Sequence, residues 1–540
     1  MLTKPIKKRD RFGDVTARVA SRPVSAVGTA RARVDGWLTD VGRRVDASTA
    51  ELDRIGTVLW GRWEQTNLLR RWAPRLLFGV LFIWYFVTFE RLVWMRHSNF
   101  GTFDYDLGMY DQGVWLLSRG RQFMTVRGMK VFGHHANIGY LLFVPAYWLG
   151  FGGAQFLDIM NTLGVMLVTI PLFALGRRHL RSDWAGLLLA AIYLFHFVPQ
   201  WMIQETFHPE NLAAPFLVGA FYFASASRWR AYWWCVAFAL IWKEDVGLYV
   251  LMMGVVVLLL FRARRVGVFT MIAGALWFLV ATKAIIPFFS PEGAVFDNLF
   301  GALGASANDV VINSIRHPTL TGRILADHKA EEGALRIIRP YGYVPLGAPL
   351  LFLMGLPQHL VNFLSIQNFT WNPQAHYVML PFTSVTLAGV RTVVTRTRVW
   401  LSWGLIAVMA IGVASTQDQG VGPWTQNGKA GFWPTTDSPR NVAIRKLMKK
   451  IPDDAIVSTS YFILPHLSHR PEIYTFPNPW RSQNFGVHGE TRNPARIQYV
   501  LLNRDPLQGE DKTLFEQILA SNEFDVLDRI GDLYLLKRKA

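Results

Sequence analysis

The sequence predicts a polytopic α-helical membrane protein that ends in a small soluble α/β domain. Of its 540 residues, 51% are hydrophobic and only 17% are charged, which is too apolar for an ordinary soluble protein. Apolar segments of roughly transmembrane length recur between residues 75 and 415. Beyond residue 440, short strand-like runs alternate with helical stretches, a pattern typical of an α/β domain.

The chain begins with a basic arm, residues 1–74, which we expect to be cytoplasmic. The net charge of the chain is +18, and much of the excess lies in this arm and in arginine-rich loops. There it indicates topology and contact with anionic membrane lipids, and the motifs of nucleic-acid-binding proteins are absent. The arm could end in an amphipathic surface helix; a solvated tail without a role is the alternative. That helix would present Leu52, Ile55, Val58, Leu59 and Trp63 on one face.

Residues 75–415 are expected to form the transmembrane domain, with about eleven crossings. By the positive-inside rule, the arginine-rich loops should be cytoplasmic. This orientation requires residues 138–150, which are too short to span comfortably, to stay at the outer interface. It also requires the proline-broken segment 341–372 to form a hairpin or re-entrant element, counted as two crossings. The cytoplasmic loops would be residues 177–181, 228–230, 262–265 and 391–398.

Two long loops and the terminal domain are external in this topology. The loop at residues 96–153 is expected to carry juxtamembrane helices, and the polar loop at 290–340 has a length that is commonly functional. A linker at 416–439 leads to the external α/β domain at 440–540. Its strand-like runs are AIVSTS, EIYTF, YVLLN and DLYLL. The single cysteine, Cys235, excludes an intrachain disulfide.

Four acidic or histidine-bearing motifs all fall on the external side: FDYDLGMYDQ, GHH, QETFHPE and WKED. Ionisable residues near membrane depth are costly and usually mark function. Four such motifs on one face therefore predict a single polar reaction chamber. The chamber candidates are Asp104, Asp106, Asp111, His134, His135, Glu205, His208, Glu210, Lys243, Glu244 and Asp245, with His376 on the far side.

Asp104 and Asp106 lie just outside the first predicted span. Two carboxylates at this spacing could act as a general base and its partner, or ligate a divalent cation such as Mg²⁺, Mn²⁺ or Ca²⁺. The alternative is structural: Asp106 is placed to cap a helix whose apolar positions follow helical spacing, and Asp104 is then a solvated loop residue.

A basic and imidazole group follows in the same loop. Arg127 and Lys130, with His134 and His135, offer the cationic donors that a phosphate-bearing lipid would need. Because adjacent histidines on a turn point in different directions, one of the two is expected to be structural. A metal site here is the weaker hypothesis, since no ligand spacing supports it.

The WKED motif joins two apolar segments without any other loop. Lys243, Glu244 and Asp245 should therefore lie near membrane depth, where charges are paired and functional. A purely structural salt bridge is the alternative. His208 and Glu210 could extend the same chamber; the alternative is that Glu205 and Glu210 merely face water.

Taken together, FDYDLGMYDQGVWLLSRG, GHH, FHPE, KEDVGLYV and ILPHLSHRPEIYTFPNPW resemble the bacterial membrane family DUF2079, over roughly residues 75–540. That family is similar to the GT-C glycosyltransferases. The resemblance implies a bacterial plasma-membrane enzyme that takes a sugar, for example arabinofuranose or mannose, from a polyprenyl-phosphate carrier on the outer face. The acceptor would be a cell-envelope glycan or glycolipid. Asp106, with Asp104 in reserve, would be the base or metal ligand.

Two other classes of function remain open. In a lipid or glycan transporter or flippase, the same charges would line a translocation path, but that class favours inverted repeats and discontinuous helices in matching halves, which the sequence does not show. In a non-catalytic envelope assembly protein, the acidic motif could be lost without effect. The absence of a WWD-type acceptor motif argues against an enzyme that glycosylates asparagine.

Overall fold

A computed structural model describes residues 68–296, 299–304, 307–490 and 492–539, with isolated positions between residues 36 and 58. Most of the predicted basic arm therefore lies outside the described residues. The chain divides into two units, residues 1–66 with 398–400 and residues 67–397 with 401–540. The contacts analysed below lie within the second unit.

The described chain is mainly helical. Residues 68–289 and 376–415 hold the long apolar helices, and residues 307–338 hold three short polar ones. The α-helices are Leu68–Ser98, Met109–Ser118, Val131–His134, Val144–Trp148, Ala154–Leu167, Thr169–Leu180, Asp183–Phe195, Phe197–Gln204, Pro209–Ser225, Trp229–Leu240, Val246–Leu260, Arg264–Val280, Ile286–Phe289, Ala307–Arg316, Pro318–Asp327, Ala330–Ile338, Phe352–Leu364, Met379–Val394, Val399–Ser415, Gln426–Lys429, Pro439–Met448 and Gly509–Ala520. Shorter 3-10 or π turns are Asp104–Gly108, Ile138–Leu142, Ala281–Ile285, Gly301–Leu303, Arg339–Tyr341, Val344–Gly347, Pro349–Leu351, Asn368–Trp371, His376–Val378, Gln417–Gln419, Leu464–His466 and Pro494–Arg496.

In the described part of the chain, four helical segments are long and apolar enough to cross a membrane, or five if one bent pair is a single span. The predicted eleven crossings are therefore not confirmed. The reason is length, because helices such as Trp229–Leu240 and Val246–Leu260 have 12 and 15 residues, fewer than the ~20 that a straight span needs. The four segments are Trp72–Ser98, Ala154–Leu180, Arg264–Phe289 and His376–Val394; the bent pair is Asp183–Phe195 with Phe197–Gln204.

Residues 138–150 and 341–372, which the predicted topology did not treat as single straight crossings, both contain only short helices. Ile138–Trp148 forms an apolar helical segment that reaches roughly 16 Å at the helical rise of 1.5 Å per residue, about half of the ~30 Å hydrocarbon core. Trp148 and Leu149 are largely exposed on it, as expected at an interface. In the segment 341–372, predicted as a hairpin or re-entrant element, one 13-residue helix, Phe352–Leu364, follows a series of 3-10 turns, so the two crossings counted there are not confirmed.

Two neighbouring helices, Val246–Leu260 and Arg264–Val280, pack with their backbones in close approach. A Cβ atom added to Gly274 would lie 2.4 Å from the backbone nitrogen of Leu251, and one added to Gly254 would lie 2.6 Å from that of Met271. Glycine at such positions lets membrane helices approach more closely than any side chain permits. This packing fixes the start of Val246–Leu260, where the WKED motif ends.

A mixed five-stranded sheet at the C-terminal end confirms the predicted α/β domain. A short hairpin precedes it in the chain, with β1 (Phe123–Met124) antiparallel to β2 (Met129–Lys130). The order in the five-stranded sheet is β4-β3-β5-β7-β6; β4, β3 and β5 run parallel, and β5, β7 and β6 are antiparallel. Its strands are β3 (Val457–Thr459), β4 (Ile473–Thr475), β5 (Tyr499–Asn503), β6 (Phe524–Ile530) and β7 (Leu533–Arg538).

The segment between the last apolar helix and the sheet packs on the first helix. The Trp424 ring lies 5.3 Å from that of Trp84, and the Trp433 ring lies 6.3 Å from that of Phe89. The Nε1 atom of Trp433 also donates to the carbonyl oxygen of Val421 at 2.7 Å. Buried aromatic contacts of this kind hold the segment in place.

We expect a cysteine placed at Gln508 to react with an impermeant maleimide in intact cells, and one placed at Ser227 to react only after permeabilisation. Both positions are exposed, and Ser227 precedes an arginine-bearing turn that the positive-inside rule assigns to the cytoplasm. The measurement is labelling in a Cys235→Ser background. Labelling of S227C in intact cells would contradict the predicted orientation.

Candidate active site

Asp106 stands in a strained turn between the first long helix and the helix Met109–Ser118. Its backbone angles are φ 66° and ψ −83°, a positive-φ γ-turn region that non-glycine residues rarely adopt and that clusters at functional sites. The predicted helix-cap role is wrong, because neither this turn nor the following helix has a side-chain cap hydrogen bond. The side chain of Asp106 is 36% exposed and points to His208 instead.

His208 is fully buried and pairs with Asp106, with 3.4 Å between Nε2 and Oδ2. Its backbone nitrogen donates to Oδ1 of Asn161 at 3.2 Å, which fixes the turn before the helix Pro209–Ser225. Burial alone would lower the pKa of His208, but Asp106 raises it to about 9. Burial would likewise raise the pKa of Asp106, and the charge of His208 holds it below its usual range. The pair is therefore ionised at neutral pH.

The imidazole of His376 stacks on that of His208, with 3.6 Å between ring centroids and 17° between the planes. Its Nδ1 lies 3.1 Å from Glu205 Oε1, and its Nε2 lies 3.8 Å from Glu210 Oε1. The other oxygen of each glutamate is buried and accepts no hydrogen bond from the described residues. Two stacked imidazoles thus lie among three carboxylates, so the group can hold and exchange protons.

The WKED motif contributes to the same cluster and also supports it. Lys243 Nζ lies 3.0 Å from Glu210 Oε1 and 3.4 Å from Asp245 Oδ2. Glu244 turns the other way, accepting from the backbone nitrogen of Ala136 at 3.1 Å and pairing with His135 Nδ1 at 2.6 Å. Lys243 therefore neutralises the carboxylate cluster, while Glu244 holds the GHH turn against it.

One group in the described chain could hold a metal ion. The ligand atoms of Glu205, His208 and His376 all lie within 4.8 Å of one another. A carboxylate with two imidazoles suits Zn²⁺ and also Mn²⁺. The Asp104 and Asp106 metal hypothesis stays a prediction, and in the structure these two carboxylates hydrogen-bond or pair with Thr475 and His208 respectively.

Three other predicted site residues contact the C-terminal domain. The Oγ1 atom of Thr475 donates to Asp104 Oδ2 at 2.6 Å, and burial raises the pKa of Asp104 to about 6. Asp111 accepts from the Tyr147 hydroxyl at 2.6 Å and pairs with His469 Nε2 at 3.1 Å. The guanidinium of Arg127 donates to two carbonyl oxygens of the domain, of Asn484 and Gly486.

Lys130 and His134 take no part in these contacts with the C-terminal domain. Lys130 is half-buried and makes no ion pair with the described residues. The ring of His134 stands edge-on to those of His135 and Tyr110, with centroids 4.4 Å and 6.2 Å away. Burial holds the pKa of His134 well below its usual range, so this histidine is neutral.

The family model described as "Predicted membrane protein (DUF2079)" matches residues 96–525. The chain belongs to the DUF2079 family. None of the curated proteins matches it. Two crystal structures of ArnT from Cupriavidus metallidurans are similar to this DUF2079 chain at 14% identity and 85% coverage. The one bound to undecaprenyl phosphate has a TM-score of 0.47 with 97% of its chain covered, and the apo one has 0.48 with 98%.

The motifs predicted to share one chamber meet in the structure of this DUF2079 protein. Some of their partners carry no sequence signal. Asn161 gave no signal, because a lone amide within an apolar helix has no motif around it. Thr475 and His469 belong to a C-terminal segment that sequence patterns assign to a separate domain. Their part in holding the acidic loop depends on contacts between residues more than 350 positions apart.

Replacing Asp111 by Asn should loosen the attachment of the C-terminal domain to this loop. The 2%-exposed carboxylate loses its ion pair with His469, and we expect a loss of about 1–3 kcal/mol of unfolding free energy. Melting temperature and protease resistance of the domain are the measurements. The matched control is Asp525→Asn, at a carboxylate that is 70% exposed; equal effects of the two substitutions would contradict the assignment.

The same pair predicts a pH dependence of stability. Burial would raise the pKa of Asp111, but His469 holds it below its usual range; burial would lower the pKa of His469, but Asp111 raises it. The contribution of the Asp111–His469 pair to the free energy of unfolding is fully present between about pH 3.9 and 6.5. It disappears as pH falls through the lowered pKa of Asp111 or rises through the raised pKa of His469. D111N should flatten this profile; an unchanged profile would exclude the pair as its source.

Proposed function

We propose that this protein is an inverting glycosyltransferase that moves a sugar from a polyprenyl-phosphate carrier to a hydroxyl of a cell-envelope glycan or glycolipid. One observation carries the proposal. The cluster has five carboxylates, those of Asp106, Glu205, Glu210, Glu244 and Asp245. Asp106 is the most exposed of them, at 36%, while its partner His208 is 1% exposed. A base needs access to substrate and a fixed orientation, and this pairing supplies both.

The proposed step is a single displacement. The acceptor oxygen forms a bond to the anomeric carbon as the bond from that carbon to the phosphate oxygen breaks, and the electron pair leaves with the lipid phosphate. The hydroxyl proton passes to Asp106. A carboxylate of low pKa accepts the proton late, once bond formation has made the hydroxyl acidic. His208 then orients the Asp106 carboxylate, and the positive charge of His208 offsets the negative charge of that carboxylate.

Cationic side chains of the same loop as Asp106 support binding of the phosphate. The Arg127 guanidinium lies 5.7 Å from the ring of Tyr105, the residue before Asp106, and Lys130 has no acidic partner among the described residues. Developing charge on a leaving phosphate is stabilised by such preorganised donors. Lys243 and His135 are already paired with carboxylates, so we assign them to the protein side of the chamber.

A divalent cation fits the cluster on charge grounds. The cluster holds five carboxylates against Lys243 and three imidazoles, so it stays anionic even if every imidazole is protonated. A metal ion at Glu205, His208 and His376 would offset this charge beside an anionic donor and act as a Lewis acid there. It would need His208 as a neutral ligand, so it would replace the His208 imidazolium that pairs with Asp106 in the metal-free site. Asp104 and Asp106 remain the alternative ligands.

The resemblance to GT-C enzymes, rather than the site, suggests an outer-face reaction with an arabinofuranose or mannose donor. In that arrangement the shorter apolar helices complete about eleven crossings, with the N-terminus cytoplasmic and the C-terminal domain external. A transporter would instead be expected to place its site near the bilayer midplane, between internal repeats with discontinuous helices in matching positions. The described cluster joins helix ends and loops, with His208 before the helix Pro209–Ser225 and the WKED motif before Val246–Leu260.

Asp106→Asn should lower the rate of sugar transfer by roughly 10²–10⁴-fold, because the amide cannot accept the acceptor proton. Folding and donor binding should be nearly unchanged, since Asp106 is partly exposed and caps no helix. The assay is transfer from a radiolabelled polyprenyl-phospho-sugar by purified enzyme. Asp104→Asn is the matched control and should lower the transfer rate less. A fully active D106N enzyme would show that Asp106 is not the base.

The pH profile of kcat/KM should reflect the Asp106–His208 pair. Because His208 has a pKa of about 9, we expect activity to decline above that pH as the imidazolium is lost. In His208→Gln, burial of Asp106 is no longer offset by a positive neighbour, so its pKa should rise and the acid limb should move to higher pH. An acid limb that stays in place in H208Q would contradict the coupling.

A further inference from the structure

A cavity of about 550 Å³ lies between the helix Ala330–Ile338 with its preceding turn and the segment 363–372. Its volume is within the range of small-molecule sites and would hold one or two sugar rings. Nothing in the candidate active site uses it. It is lined by His328, Glu332, Arg336, Asn368, Phe369 and Trp371, among others.

The lining combines a fixed aromatic wall with free polar groups. His328 stacks on Trp371, with ring centroids 4.0 Å apart, and the Trp371 Nε1 atom donates to the Ser365 carbonyl oxygen at 3.1 Å. Phe369 is 48% exposed. The amide of Asn368 and the guanidinium of Arg336 are exposed, and Arg336 has no ion-pair partner among the described residues.

This combination matches the chemistry of a sugar ring. The C–H face of a sugar packs on an aromatic ring, whose face carries partial negative charge. Hydroxyl groups both donate and accept hydrogen bonds, as amide side chains do. A lipid chain would not suit a lining that holds Arg336 and Glu332, and a phosphate alone would not need an aromatic wall.

The cavity is linked to the base by a short series of ring contacts. Phe369 lies 5.8 Å from Tyr377, and Tyr377 lies 3.9 Å from His376, measured between ring centroids. His376 stacks on His208, which pairs with Asp106. We propose that this cavity is a subsite for a sugar unit of the acceptor glycan, an inference that rests on the proposed glycosyl transfer.

Kinetics test the acceptor assignment. Phe369→Ala and Asn368→Ala should each raise the KM for the acceptor at least tenfold, with kcat and the KM for the donor changed less than twofold. Trp371→Ala should raise the acceptor KM in the same way, and Trp371→Phe, which keeps an aromatic ring, should raise it much less. An equal rise in both variants would mean that Trp371 acts only through its hydrogen bond to Ser365. Trp234→Ala, at an exposed tryptophan on another helix, is the control. A rise in donor KM instead would overturn the proposal.

Binding can be measured without turnover. Saturation-transfer NMR of the full-length protein in detergent, with mannotriose and arabinotriose as probes, should show transfer to at least one of them, lost in F369A. No transfer from the wild-type protein at millimolar sugar, or transfer unchanged in F369A, would overturn the subsite. If D106N keeps full activity while F369A abolishes transfer of saturation, the base assignment fails and the subsite stands.

Discussion

The cost of removing charge from water is the constraint on which this arrangement depends. Asp106, Glu205, Glu210, Glu244 and Asp245 lie in or beside a membrane domain, where an unpaired ion costs several kcal/mol. Each therefore pairs with an imidazole or with Lys243. Because the partners come from different helices and loops, satisfying the charges also fixes how those elements meet.

The loop that carries Asp106 is held from its other side by the C-terminal domain. Thr475 binds Asp104, and the Tyr105 hydroxyl donates to the Asn484 carbonyl oxygen at 2.6 Å. Asp111 is bound by His469 at the start of the next helix. The strained backbone at Asp106 is thus fixed by contacts before and after it, as a costly conformation requires. The domain is therefore part of the support for the site, in addition to any role in substrate binding.

Much of the site could be predicted from the sequence because its charges stand out against apolar surroundings. The motifs around Asp106, His208 and Lys243 were expected in one chamber, and they meet there. The strand Phe524–Ile530 was not expected, because most of its side chains are exposed and it lacks a buried run. Its identity depends on pairing with β7. The backbone of Asp106 could not be predicted either, since the residue at the positive-φ position is not glycine.

Direct contact between the first loop and the C-terminal domain restricts the topology by parity. Residues 104–127 and 468–486 touch each other, so they lie on the same side of any membrane that the chain spans. The chain must therefore cross the membrane an even number of times between them. Three of the four long apolar segments, Ala154–Leu180, Arg264–Phe289 and His376–Val394, lie in that interval. Three is odd, so an odd number of further crossings must be made by the bent pair or by the shorter apolar helices.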